Sequence, residues 1–466
     1  HLALPRSPLD GVRITMAPIT RRIGLSLGAD LCWPRAFEGI MNRWDPTLRI
    51  GSDDVRFEVE RLMIEPFDLR GPVRYDMVLD RLTHWYTNTR EWIKKAVLMD
   101  DLYVLNNPWS VQSMEKQTSY CAMMRLGMPI PDTWLVPPKE YVDSPDLKPT
   151  LERYAKLFDL KELGDEVGYP LFMKPYDGGG WVGVTKVDNA EELTKAYDES
   201  GKFIMHLQKG VLPFNHFIRC IGIGPDVRIV EYDPSAPLHE RYTTDFNHLA
   251  EADMTRLRQI TLTINAFFGW DFNSCECLHQ NGVWYPIDFA NPCPDSQVTS
   301  LHRHFPWLVL ANLRWALFNT ATGRKKPRNL DWDSYIEIAD GPGTFDEKLP
   351  QYAALAEETL DTRAFEEFCA EHLGPLEEVA WEYFGSKDAR EAVREKVASL
   401  FPEHEVEEFT ERFWSSIQDW RLESAQDGHQ HSARRSAQSR PQSPPQSPPQ
   451  GPPQGKTQGT QQENKS

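Results

Sequence analysis

Lys174 closes an apolar run that starts at Tyr169 and opens onto Asp177, Gly178, Gly179, Gly180, Trp181, Val182 and Gly183. Consecutive glycines let backbone N–H groups turn inward around phosphate oxygens that side chains would hold off, and a strand lysine beside them supplies a fixed positive charge. Neither the Gly-Lys-Ser/Thr motif nor the dinucleotide fingerprint is present, and a hairpin with a glycine turn would carry the same run. Arg219 stands between Ile218 and Cys220 on what reads as an inner strand. A buried arginine calls for an anion, either a phosphate or a structural carboxylate. Glu276 and Asp288 flank an Asn281-Gly282 turn, with Asn291 just beyond. Such oxygens suit a Mg²⁺ that already holds nucleotide phosphates, unless the hairpin simply wets its acidic face. Cys275, Cys277 and Cys293 form no Cys-x-x-Cys pair, so they read as core or loop thiols rather than zinc ligands. Lys116, taken alone, reads as a solvated charge.

These residues need elements to hold them. Strands are expected at 22–28, 75–80 and 103–106, with helices over 34–41 and 83–97, which makes the first third a small α/β unit. A helix from Ser113 is stopped by Gly127-Met128-Pro129-Ile130-Pro131. Strand-like runs follow at 170–175, 183–187, 203–208, 217–223 and 227–232, and Asn281-Gly282 is a hairpin turn. Glu-rich segments beyond 345, with Phe365, Phe368, Leu373, Val379 and Tyr383 at helical spacing, predict amphipathic helices, as does 403–421. They are open to selecting an acceptor or to a contact between copies in a homo-oligomer. From about Ser424 the chain turns to Gln, Pro and Ser and is expected to be disordered, as a passive tail or a proline-rich docking segment. The expected divisions are 1–110, 111–330, 331–423 and 424–466.

A chain of 466 residues with 40% hydrophobic content has room for more than one core. Its net charge of −18 disfavours nucleic acid and anionic membranes as partners. An odd number of cysteines, seven, scattered without a framework, suits a reducing cytoplasm. No apolar run has the length of a membrane span, and residues 1–20 lack a basic segment followed by an apolar one; a first residue of His leaves room for an upstream piece.

Taken together, the residues from about 103 to 296 resemble the ATP-grasp superfamily, and their order is similar to that of the ribosomal-protein glutamate ligase branch. Three spacings carry the likeness: Lys116 stands fifteen residues before Pro131, with Thr133 in place; Lys174 stands nine before Gly183; and Glu276 stands twelve before Asp288. The resemblance implies an α+β ATP-grasp fold with an N-terminal α/β domain of the kind that precedes it and a C-terminal helical extension. It implies that Lys116 and Lys174 contact the α- and β-phosphates of ATP while the loop from Gly178 through Gly179 and Gly180 to Gly183 closes over the β- and γ-phosphates. Gln208, Lys209 and Val211 would form the hinge that reads adenine, with Asn215 near the ribose. Arg219 would stabilise the transferring phosphoryl group, and Glu276, Asp288 and Asn291 would hold one or two Mg²⁺. The implied activity is a carboxylate–amine ligase acting on small-molecule or peptide substrates. The sequence departs from the pattern at three points: Asp288 and Asn291 stand three apart where Glu-x-Asn is usual, Asn215 replaces an acid, and Asp271 competes with Glu276 as first metal ligand. The altered spacing keeps a second reading open, a weak or inactive ATP-binding adaptor with a docking tail.

Overall fold

The structure, a computed structural model, describes residues 17–438 apart from 65, 84–85, 114, 179–181 and 245–248. Contacts divide the chain into two compact units, His1–Arg421 and Leu422–Ser466, and the fold described below is that of the first. Its described strands form three sheets. The first holds β1 (Ile19–Ser26), β2 (Thr47–Ile50), β3 (Asp53–Arg61), β4 (Met77–Asp80) and β5 (Tyr103–Leu105) in the order β2-β3-β1-β4-β5. All neighbours are parallel except β2 with β3. Parallel strands are covered on both faces, which is why Ile23, Leu25, Met77, Val78, Leu79 and Val104 form continuous buried runs. Strand β3 was not anticipated because six of its nine residues are charged. Val55, Phe57 and, partly buried, Val59 of its alternating pattern face the core.

The second sheet contains β6 (Thr133–Val136), β7 (Leu171–Pro175), β8 (Thr185–Val187) and β9 (Met205–Lys209), ordered β6-β9-β7-β8 and antiparallel throughout. Alternation puts Val136, Leu171, Met173, Val187, Met205 and Leu207 on one face, with Leu193, Ala196 and Tyr197 of the helix Ala190–Glu199 in the same core. The helices Leu160–Val167 and Ala190–Glu199 both start at a side-chain cap, Asp159 and Asn189. The opposite face is thereby left to Thr133, Phe172, Lys174, His206 and Gln208, with Lys174 opposite His206 and Gln208 opposite both Phe172 and Thr133.

In the third sheet β10 (His216–Ile223), β11 (Asp226–Glu231), β12 (Phe272–Gln280) and β13 (Val283–Asp288) are ordered β11-β10-β12-β13, again antiparallel. The β12–β13 turn is Asn281-Gly282, both at positive φ (51° and 79°), as the hairpin pattern requires. Ile218, Cys220, Cys275 and Cys277 pack with Leu257, Ile260 and Ile264 of the helix Glu251–Phe268 behind the sheet. Register along β12 and β13 pairs Cys277 with Pro286 but Glu276 with Asp288, so Ile287 is the extra residue of a β-bulge. Without it, strict alternation would set Ile287 opposite Glu276 and turn Asp288 to the other face.

The helix Phe305–Ala321 is buried nearly all round and ties the first sheet to the helices that follow. The last helix, Val406–Gln438, runs on into 424–438, which the sequence assigned to a disordered tail. That stretch is rich in Ala, Gln and Arg and has no proline before Pro441, so the single Gly428 is its one weak helix former of the glycine or proline kind. The proline-rich remainder, 439–466, lies outside the described residues. No described helix is long and apolar enough to cross a membrane.

Candidate functional site

The polar faces of the second and third sheets line one cavity of about 470 Å³. Its wall includes Lys116, Phe172, Lys174, Gly178, Gln208, Lys209, Val211, Arg219, Glu276, Asp288 and Asn291, so most of the residues singled out from sequence meet there. On the third sheet Arg219, Glu276 and Asp288 are cross-strand neighbours in one row over β10, β12 and β13. Such a row places a cation beside two carboxylates without help from any loop.

Arg219 is nine-tenths buried. One guanidinium nitrogen ion-pairs with Glu276 and the other donates to the Tyr242 hydroxyl at 2.7 Å. The Tyr232 ring lies 4.4 Å from its Cζ. Burial works against the charge, yet Glu276, Tyr242 and Tyr232 outweigh it and hold the arginine above its ordinary pKa. Burial pushes the Glu276 carboxyl up, while Arg219 pulls the other way. The Nε of Arg219 has no hydrogen-bond partner among the described residues, an orphaned buried donor that an incoming anion would satisfy.

Across the cavity Lys174 Nζ donates to Gln208 Oε1 at 2.6 Å and to the Ile287 carbonyl at 3.4 Å. That carbonyl sits at the bulge and also accepts from Tyr120 Oη at 2.7 Å. The two sheets therefore meet at Ile287. Burial, with Lys116 nearby, lowers Lys174 to about 8 against the opposing pull of Asp288 and Glu276. Lys116 Nζ donates to the Gly178 carbonyl at 2.5 Å and lies 3.7 Å from Asp288. Among these cations His206 is neutral, pushed down to about 4 by burial, Lys174 and Lys116. Asn291 gives its amide nitrogen to Ser274 Oγ at 2.7 Å, and its backbone N–H is fixed by Asn273. Three lysine and arginine cations thus face the oxygens of Glu276, Asp288 and Asn291, a donor set that fits a polyphosphate and the hard cation it carries.

No family model matches the chain. A D-alanine–D-alanine ligase of Streptomyces griseus subsp. griseus is 26% identical over 186 residues, 36% of this chain and 44% of that protein. The solved D-alanine–D-alanine ligase of Bacillus anthracis complexed with ATP aligns with a TM-score of 0.43 at 15% identity, covering 65% of this chain and 97% of that one. The RimK domain ATP-grasp protein of Sphaerobacter thermophilus gives 0.43 at 14%, covering 63% and 97%. Over part of its length the chain is similar in sequence to D-alanine–D-alanine ligases. It spans under half the length of the curated relatives it matches.

Several ATP-grasp expectations change once the side chains are placed. Gln208 is buried with its amide engaged by Lys174 and by Thr133 Oγ1, at 2.6 and 3.0 Å, so its side chain orients the lysine. Asn215 is exposed and does not line the cavity; its backbone N–H caps the His279 carbonyl at 2.7 Å. Asp271 is not part of the site. Its carboxylate is held by Lys326 and the Tyr103 hydroxyl in a buried group of its own. Gly179 and Gly180 lie outside the described residues; Gly178 and Gly183, at φ +90° and +72°, bracket them. Sequence reasoning missed Tyr120, Tyr232, Tyr242 and Arg241. No motif marks them; the β10–β11 pairing and the Tyr232–Tyr242 bridge bring the two tyrosines to Arg219, and Arg241 reaches the Tyr232 hydroxyl.

Proposed function

We propose that the chain is an ATP-dependent carboxylate–amine ligase. The observation that carries this is the cross-strand row Arg219, Glu276 and Asp288 facing Lys174 and Lys116 over a single cavity. In this reading Lys116, Lys174 and the backbone from Gly178 to Gly183 hold the phosphates of ATP. Phe172, Val211 and Leu278 offer apolar contact to the base beside Lys209. Glu276, Asp288 and Asn291 hold Mg²⁺, which supplies charge neutralisation at the phosphates. A substrate carboxylate oxygen attacks the γ-phosphorus and ADP leaves. The amine nitrogen then attacks the acyl carbon, phosphate departs with the C–O electron pair, and the nitrogen loses its proton. Arg219 opposes the negative charge that builds during transfer, and the work of the site is positioning and electrostatics. Seven free cysteines fit a reducing compartment, the cytoplasm.

The test is acid-dependent ADP release by the full chain with hydroxylamine as the amine, which converts an acyl phosphate to a hydroxamate. Lys174→Ala and Asp288→Ala are each expected to lower the rate by about 10²–10³-fold. Binding of Mg-ATP without hydroxamate or ADP from any acid, cell extract included, would sink the ligase reading in favour of the adaptor.

A further inference from the structure

The segment between Tyr232 and Tyr242 is a loop closed at its base by the bridge between those tyrosines and by Asp233 N–H donating to the Arg241 carbonyl at 2.8 Å. Its outer side is gripped by the C-terminal helices. The His239 ring lies among Phe401, Phe409 and Phe413, at centroid distances of 6.3, 5.2 and 6.4 Å, and Glu240 pairs with Arg412 at 2.5 Å. Its inner side presents Pro234, Leu238 and Arg241 to the cavity.

Arg241 is the unexplained member. Its Nε donates to the Ala236 carbonyl at 2.9 Å and its Nη1 to the Tyr232 hydroxyl at 3.3 Å, both neutral acceptors within its own loop. Among the described residues no carboxylate lies within ion-pair distance of it, although it is half-buried in a cavity wall; the exposed Asp233 of the same loop feels its charge from further off. A planar fork held from one side by neutral acceptors is arranged to receive an anion from the other. Tyr232 fixes where that anion sits. Its ring stacks on the Arg219 guanidinium while its hydroxyl takes the Arg241 hydrogen bond, so a single tyrosine spans the two cations.

We propose that Arg241 binds a second anionic group on the acid substrate, which makes the preferred substrate a short dicarboxylate or a similar acid with two anions. This rests on the ligase reading, in which Arg219 marks the reacting end. The phosphates of ATP already have Lys116 and Lys174, so the charge of Arg241 is left to the acid.

The experiment compares glutarate with valerate, equal in length, in the hydroxamate assay with the full chain. Glutarate is expected to show a kcat/KM at least about tenfold higher. Arg241→Met should collapse that preference by raising KM for glutarate about tenfold or more, with kcat moving less than about threefold, and Arg241→Lys should restore part of it. The melting midpoint of each variant without ligand separates this from a folding defect. An unchanged glutarate-to-valerate ratio in Arg241→Met, or a rise in KM for ATP in place of the acid, overturns the assignment. If no acid yields hydroxamate, the ligase reading falls, and titration of glutarate into Mg-ADP-loaded protein decides about Arg241 separately. Heat of binding lost in Arg241→Met upholds it, and no binding to the unaltered chain overturns it.

Discussion

Lys174 shows how one side chain can carry both a cost and a function. Burial brings its pKa from 10.5 to about 8, so the unfolded chain holds this proton more tightly than the folded one. Between pH 8 and 10.5 the unfolded state therefore binds more protons, and the group's contribution to stability rises with pH across that window. In Lys174→Met this rise should be absent from urea midpoints measured between pH 8 and pH 10.5. Nucleotide binding should run the opposite way, because the phosphates need the charged form. Above pH 8 the KM for ATP is expected to climb by up to about tenfold per pH unit, levelling off above the higher pKa that the lysine has with phosphate bound. A KM flat from pH 7 to pH 10 would show that Lys174 does not meet the phosphates. The same pull of function against stability is visible in Arg219, whose charge is kept by Glu276 although its Nε has no hydrogen-bond partner among the described residues.

Among the elements, the glycine loop and the β12–β13 hairpin were legible for different reasons. Gly183 was chosen from its spacing to Lys174, and its backbone explains the residue: φ is +72°, and a Cβ there would come within 2.9 Å of Pro175 Cγ. Gly183→Ala should cost about 1–3 kcal/mol locally and raise KM for ATP while kcat/KM for the acid at saturating ATP changes little. Equal loss in both would point to general misfolding. The hairpin was readable because Asn281-Gly282 fixes a register from the turn outward, which set Glu276 and Asp288 on paired strands. The bulge at Ile287 was not readable, since alternation alone gives no sign of where an extra residue enters. The same limit hid Tyr120, whose hydroxyl reaches that bulge from a helix more than 160 residues upstream. Asn215 and Asp271 failed for a simpler cause. Each has the right chemistry at the right distance along the chain, but solvent holds one and Lys326 the other.

On the scale of the whole molecule, the second and third sheets meet over one cavity, and the helices after residue 330 stand outside its wall. The C-terminal helices hold the Tyr232–Tyr242 loop, which lines the cavity, by the His239 cage and the Glu240–Arg412 pair. Removing the ion pair with Arg412→Ala should raise KM for glutarate about two- to fivefold and leave KM for ATP where it was, because the partially exposed pair contributes no more than about 1 kcal/mol. A larger effect on ATP than on the acid would place the loop elsewhere in the reaction. The cage around His239 carries a further consequence. Coupling between two sites is reciprocal, so if packing of the helices biases the loop toward the form that takes the acid, the acid must stabilise that packing by the same free energy. The helical appendage would then sense cavity occupancy as well as support the loop, and whatever docks against Phe401, Phe409 or Arg412 would compete with or reinforce the substrate from outside the cavity.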